Sequence, residues 1–212
     1  MDTSFWHQKW KNNSIAFHRS DANPLLVKHF QELSLESGRR IFVPLCGKTL
    51  DIAWLLANGY RVAGVELVEI AIRQLFEELE IAPNVVDFYT IKCYSARNID
   101  IFVGSIFDLP GQMLGPVDAI YDRAALVALP KTMRDRYTAH LTEMTDTAPQ
   151  LLITYGYDQT QMAGPPFSIS NGEVEQHYGH SYRLKLLSSH DVPNGLKGQC
   201  AAKETVWLLK HD

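Results

Sequence analysis

Cysteine is scarce in this chain and never grouped. Cys46, Cys93 and Cys200 are odd in number and far apart, with no C-x-x-C and no histidine at zinc spacing. That pattern excludes a disulfide framework and a zinc site, and predicts free thiols in a reducing compartment. No apolar run approaches the roughly 18 residues of a membrane-spanning helix. Positive charge is not in excess either: 20 Lys and Arg face 24 Asp and Glu, a net charge of −4. Such a chain has no global field to attract nucleic acid or anionic lipid. Near the N-terminus, Asp2, His7, Lys9 and Lys11 replace the basic flank and apolar core of a leader, so a cytoplasmic location is expected. Repeats, low-complexity tracts and linker-like runs are absent, so residues 1–212 are expected to form one domain.

What is present is an alternation of short apolar runs and amphipathic stretches. Residues 41–45, 61–67, 99–103, 116–121 and 150–155 are short, β-branched or aromatic, and bounded by turn residues, which predicts strands. Helical periodicity fills residues 49–58, 68–80 and 131–147. Strands alternating with helices predict an α/β fold: a mostly parallel sheet, helices on both faces, right-handed crossovers. The rhythm breaks near the C-terminus. There, runs 181–188 and 203–210 flank a turn-rich segment and predict an antiparallel hairpin, preceded by a short helix opening at Ser170-Asn-Gly-Glu173 with capping-box spacing. Near the N-terminus, Trp6 and Trp10 share one helix face at i, i+4 spacing. That helix either covers the core or forms an aromatic lid over a ligand.

In an open α/β sheet, ligands bind beyond the carboxyl ends of the strands, and this rule selects the residues to inspect. After the first strand, Gly47-Lys48-Thr49 superficially resembles the end of a phosphate-binding loop, but Phe42 stands where the first glycine belongs and Pro44 removes a donor. A G-x-G-x-x-G fingerprint is also missing, so nucleoside triphosphatase and nicotinamide chemistry are set aside. The second strand ends at Glu66, nineteen positions after Gly47. A carboxylate there can accept hydrogen bonds from both hydroxyls of a ribose, or simply cap the following helix. Beyond the third strand, Ser105 and Ile106 can read and wall an adenine, and Asp108 is a second contact or a turn former. Beyond the fourth, Asp122-Arg123 is an ion pair, a surface turn or a ligand contact.

Taken together, Phe5-Trp6-His7-Gln8-Lys9-Trp10, Ala16-Phe17-His18, Val43-Pro44-Leu45-Cys46-Gly47-Lys48, Gly64-Val65-Glu66, Ser105-Ile106-Phe107-Asp108-Leu109-Pro110, Asp122-Arg123-Ala124-Ala125-Leu126 and Gly164-Pro165-Pro166-Phe167 resemble thiopurine S-methyltransferases of the shorter bacterial type. These runs span most of the chain in the right order. The resemblance implies a class I methyltransferase (Rossmann-like) fold with a seven-stranded sheet, and residues 1–36 as a helical lid. It also implies S-adenosylmethionine as cofactor, S-adenosylhomocysteine as product, and a small aromatic or heterocyclic thiol as acceptor. Carried over by position, Trp10, Leu45, Glu66, Ser105, Ile106 and Arg123 hold the cofactor: Glu66 on the ribose, Leu45 and Arg123 near the methionine portion, Ser105 and Ile106 against the adenine. Phe17 borders cofactor and acceptor, and Pro165, Pro166 and Phe167 lie near the acceptor pocket. The stretch 84–98 fits the family pattern poorly and receives no role.

Because a heterocyclic thiol ionises near neutral pH, methylation calls for positioning and exclusion of water more than for a general base. Arg123 is the expected electrostatic residue, and Cys46 is expected to be structural. No metal, nucleic acid or membrane is expected, and a monomer is the default. Two alternatives stay open: methylation of small selenium or tellurium species, and a non-catalytic scaffold that keeps the fold.

Overall fold

Five strands in the first half of the chain lie side by side in the order β3 (Asn84–Asp87), β4 (Lys92–Ala96), β5 (Ile99–Val103), β2 (Arg61–Glu66), β1 (Arg40–Pro44). All five residues of β1 (Arg40–Pro44), and all but Arg61 of β2 (Arg61–Glu66), are buried. Successive side chains of a strand point to opposite faces, so burial along its whole length requires cover on both. β1 and β2 are parallel, as are β2 and β5 (Ile99–Val103). The register sets Pro44 beside Val65 and Glu66 beside Val103, so the three strands end level with one another.

The computed structural model describes residues 3–15 and 21–211. Its contacts divide the chain into two compact units, residues 2–118 and 119–212. In the first, α1 (Thr3–Lys11) precedes α2 (Pro24–His29), whose N-cap Asn23 accepts from the Leu25 N–H at 2.8 Å. Asn23 itself donates its backbone N–H to the buried Asp51 carboxylate at 2.6 Å. That bond ties the chain entering α2 to α3 (Leu50–Ala57), which Thr49 caps. α4 (Glu69–Glu78) follows β2 and buries Ala71, Ile72, Leu75 and Phe76 at helical spacing.

β3 (Asn84–Asp87) and β4 (Lys92–Ala96) form an antiparallel hairpin, with β4 antiparallel to β5. These two strands lie in the segment to which the sequence reading gives no role. The seven expected strands are all present, and this hairpin brings the total among the described residues to nine. All four residues of β3 are exposed. α5 (Gly111–Leu114) closes this unit.

The second unit has the order β6 (Ala119–Arg123), β7 (Gln150–Tyr157), β9 (Ala202–Lys210), β8 (Arg183–Asp191). β6 (Ala119–Arg123) is parallel to β7 (Gln150–Tyr157), and the C-terminal hairpin of β8 (Arg183–Asp191) and β9 (Ala202–Lys210) joins β7 through an antiparallel pairing. α6 (Lys131–Met144) connects β6 to β7. α7 (Asn171–Tyr178) opens at Ser170, whose Oγ accepts the Glu173 N–H at 3.1 Å. Half of the expected capping box is therefore built. The Glu173 side chain serves another partner, bonding the Arg134 guanidinium at 2.6 Å.

Candidate active site

Five of the expected cofactor residues lie in the first unit, at or beside the level ends of β1, β2 and β5. Glu66 closes β2 and is 7% exposed. Its Oε2 accepts the Gly47 N–H and its Oε1 the Val68 N–H, both at 2.9 Å. Both oxygens are thereby oriented, and each keeps a lone pair for a further donor such as a ribose hydroxyl. Burial raises the Glu66 carboxyl from the ordinary range, while the backbone N–H groups of Val68, Gly47 and Leu67 oppose that shift.

The loop after β1 is shaped by two residues with left-handed backbone, Leu45 at φ +45° and Gly47 at φ +52°. For a leucine this is a costly conformation that the surroundings must hold in place. Gly47 lies against the indole of Trp10: a methyl group added there would sit 3.0 Å from Cζ2. Trp10 is 4% exposed and packs with Val68 and Ala71, with Trp6, Ile15 and Leu67 around them. The core reading of this helix holds for Trp10, and the same ring shapes the loop bonded to Glu66. Trp10, Leu45 and Glu66, distant in sequence, thus meet around one glycine.

Beyond β5, the Gly104 N–H donates to the Glu66 carbonyl at 2.9 Å, which brings the next two residues beside the end of β2. Ser105 accepts the Phe107 N–H at 3.3 Å and caps the short turn Ile106–Asp108; Ile106 is buried and Asp108 exposed. Cys46 is 6% exposed, and burial pushes its thiol well up, with the Glu66 charge adding to the effect. A thiol held protonated is a poor nucleophile, which agrees with a structural role. Lys48 is committed to Glu78 at 2.5 Å.

The remaining expected residues lie in the second unit. Arg123 ends β6 and is half-buried, followed by Ala124 at φ +66°. Its neighbour Asp122 is fully buried and bonds inward: Oδ1 accepts the Leu126 N–H at 3.1 Å and Oδ2 the Tyr137 hydroxyl at 2.8 Å. Asp122 therefore braces the turn that presents Arg123, and the ion-pair and surface-turn readings of this dipeptide lapse for it. Burial raises its carboxyl to about 6. Pro165, Pro166 and Phe167 form a half-buried loop whose Phe167 N–H donates to the Val127 carbonyl at 2.6 Å. Phe17 lies outside the described residues. Sequence reasoning passed over Tyr137 and Arg134, which hold these segments from α6; an arginine and a tyrosine three positions apart on a helix read as surface residues.

The residues around Glu66 suit an adenosyl group. An oriented, largely buried carboxylate stands at a strand end beside a glycine turn, and a capped loop adjoins it at the end of the next strand. The family model described as Thiopurine S-methyltransferase (TPMT) matches residues 1–212. A thiopurine S-methyltransferase of Xanthobacter autotrophicus is 54% identical over 211 residues, covering 99% of each chain. That of Teredinibacter turnerae is 51% identical over 212 residues, covering 100% of this chain and 99% of the relative. Among solved structures, 1,6-didemethyltoxoflavin-N1-methyltransferase of Burkholderia thailandensis, with bound S-adenosylhomocysteine, superposes with a TM-score of 0.68 at 14% identity, over 99% of this chain and 87% of the other. An S-adenosylmethionine-dependent methyltransferase of Anabaena variabilis gives 0.66 at 17% identity, over 99% and 95%. These likenesses establish the class I methyltransferase fold, and the full-length sequence matches establish more: the chain belongs to the thiopurine S-methyltransferase family.

Proposed function

We propose that this protein methylates the sulfur of aromatic and heterocyclic thiols such as thiopurines, with S-adenosylmethionine as donor. The observation that carries the reading is Glu66, held at both oxygens by backbone N–H groups at the end of β2, in a chain whose relatives over nearly full length are thiopurine S-methyltransferases. When bound, the donor supplies a methyl group already activated on a sulfonium. The chain has then to bind and orient the reactants.

In this reading Glu66 accepts from the ribose, Ser105 and Ile106 border the adenine, and Trp10 and Leu45 shape the loop beside them. Arg123 favours an anionic acceptor or holds the donor's carboxylate. Phe17, Pro165, Pro166 and Phe167 border the acceptor. No general base is assigned, because such thiols supply anion near neutral pH. Residues 1–36 are assigned as the segment that covers the cofactor. Among the described residues no helix is long and apolar enough to cross a membrane. We place the protein in the cytoplasm as a monomer acting on small molecules, consistent with three free cysteines. No observation favours selenium or tellurium substrates, or a scaffold without activity, over this reading.

The test is transfer of labelled methyl from S-adenosylmethionine to 6-mercaptopurine and thiophenol. The expected product is the labelled thioether, with Arg123→Ala lowering kcat/KM by about 10-fold or more while the circular dichroism spectrum is unchanged. A folded protein that binds S-adenosylhomocysteine yet labels neither thiol would overturn the acceptor assignment.

A further inference from the structure

The loop of residues 162–168 carries the three residues assigned to the acceptor, and it is clamped from several directions. Gln159 closes its neck. Its Nε2 donates to the Met162 carbonyl at 2.6 Å and its Oε1 accepts the Ser168 N–H at 2.8 Å, so one amide bridges both ends. The same Nε2 donates to the Tyr157 hydroxyl at 3.0 Å, and that hydroxyl in turn donates to the Pro166 carbonyl at 2.7 Å. The Ser168 hydroxyl bonds the Tyr157 backbone on both sides, at 2.9 and 2.7 Å. Arg134, 3% exposed, reaches in from α6: Nη1 donates to the Ser168 carbonyl at 3.3 Å, Nε to the Leu129 carbonyl at 2.9 Å, and the guanidinium lies 5.7 Å from the Phe167 ring centre. Gly164, at φ +77°, gives that ring room, since an added methyl group would sit 2.6 Å from it.

We propose that Gln159, Tyr157 and Arg134 are positioning residues that set which thiols the protein accepts, by fixing Pro166 and Phe167 without touching the acceptor themselves. This rests on the reading that residues 165–167 border the acceptor. A loop left without such anchors samples many conformations, and ordering it on binding costs affinity. Here the carbonyl of Pro166, the ring of Phe167 and the two ends of the loop are each fixed by a separate group. All of these contacts lie within residues 119–212, whereas five of the six assigned cofactor residues lie within 2–118. The clamp is therefore expected to govern acceptor selectivity separately from cofactor affinity.

Tyr157→Phe deletes the hydroxyl that bonds Pro166 and Gln159, and Gln159→Leu removes the bridge across the neck at similar volume. The measurement compares wild type with each variant: kcat/KM for 6-mercaptopurine and for thiophenol, thermal midpoint, and calorimetric Kd for S-adenosylhomocysteine. The ratio of the two kcat/KM values is expected to shift by about 5-fold or more, mostly through the acceptor KM, while the Kd stays within about twofold. A lowered midpoint with both ratio and Kd unchanged in both variants would mean that the bonds only stabilise the loop, and would overturn the proposal. Parallel loss of Kd and activity would do the same, because the clamp would then serve the cofactor. A wild-type protein inactive on both thiols is the distinct failure of the acceptor assignment, and the proposal falls with it.

Discussion

Glu66 shows how a carboxylate can be buried without being wasted. Losing water at the end of β2 raises its carboxyl, and the two N–H donors at 2.9 Å offset part of that cost while fixing its plane. One donor belongs to Gly47, whose left-handed backbone strains any other residue and whose added Cβ would press on the Trp10 indole. Gly47→Ala is expected to cost about 1–2 kcal/mol in stability from backbone strain alone, and to push the indole aside. Chemical denaturation and tryptophan fluorescence would register both effects; an unchanged spectrum with full S-adenosylhomocysteine affinity would mean the contact is dispensable. Cys46, with its thiol held protonated, is expected to resist alkylation in the folded protein at about pH 8, and Cys46→Ala to retain S-adenosylhomocysteine binding. Rapid alkylation before unfolding would contradict the burial argument. Asp122 offers a pH signature. Its carboxyl rises from the ordinary 3.8 to about 6 on burial, so the folded state binds the proton more tightly than the unfolded chain. That contribution to stability is complete below the ordinary value and is lost as pH rises through about 6. Relative to Asp122→Asn, wild type is expected to lose on the order of 1 kcal/mol between about pH 5 and about pH 7.5 in denaturant titrations. A constant difference would mean that Asp122 does not titrate there.

The secondary-structure elements differ in how plainly the sequence announces them. β1, β2, β5, β6, β7 and β9 declare themselves because burial forces continuous or alternating apolar character; β8, which buries no residue, is read instead from the turn-rich segment that joins it to β9. β3 and β4 do not. All of β3 is exposed, and β4 buries only Tyr94, so neither carries the periodicity that burial imposes. Glu66 and Ser105 are legible because strand ends can be counted along the chain, whereas Leu45 is reached only through the family resemblance. The burial of Asp122, and the reach of Arg134 and Tyr137 from α6, depend on long-range packing that no local pattern records. α1 is an element with two duties, packing Trp10 against α4 and against the glycine of the loop after β1. If it covers the bound nucleoside, amides of Thr3–Lys11 are expected to exchange more slowly with saturating S-adenosylhomocysteine. Identical exchange with and without ligand would leave α1 as core cover only.

Across the whole chain, the match to one family from residue 1 to residue 212 and the class I fold support the same assignment. The residues assigned to cofactor and acceptor fall largely in different compact units, 2–118 and 119–212. Substitutions are therefore expected to separate into those that change cofactor affinity and those that change acceptor choice. The central claim is that Glu66 holds the nucleoside. The direct measurement is calorimetric titration of wild type and Glu66→Ala with S-adenosylhomocysteine. Stoichiometric binding by wild type, weakened by about 10-fold or more in the variant with the fold intact, is the predicted result. Equal affinity in both proteins, or no binding by folded wild type, would contradict the account.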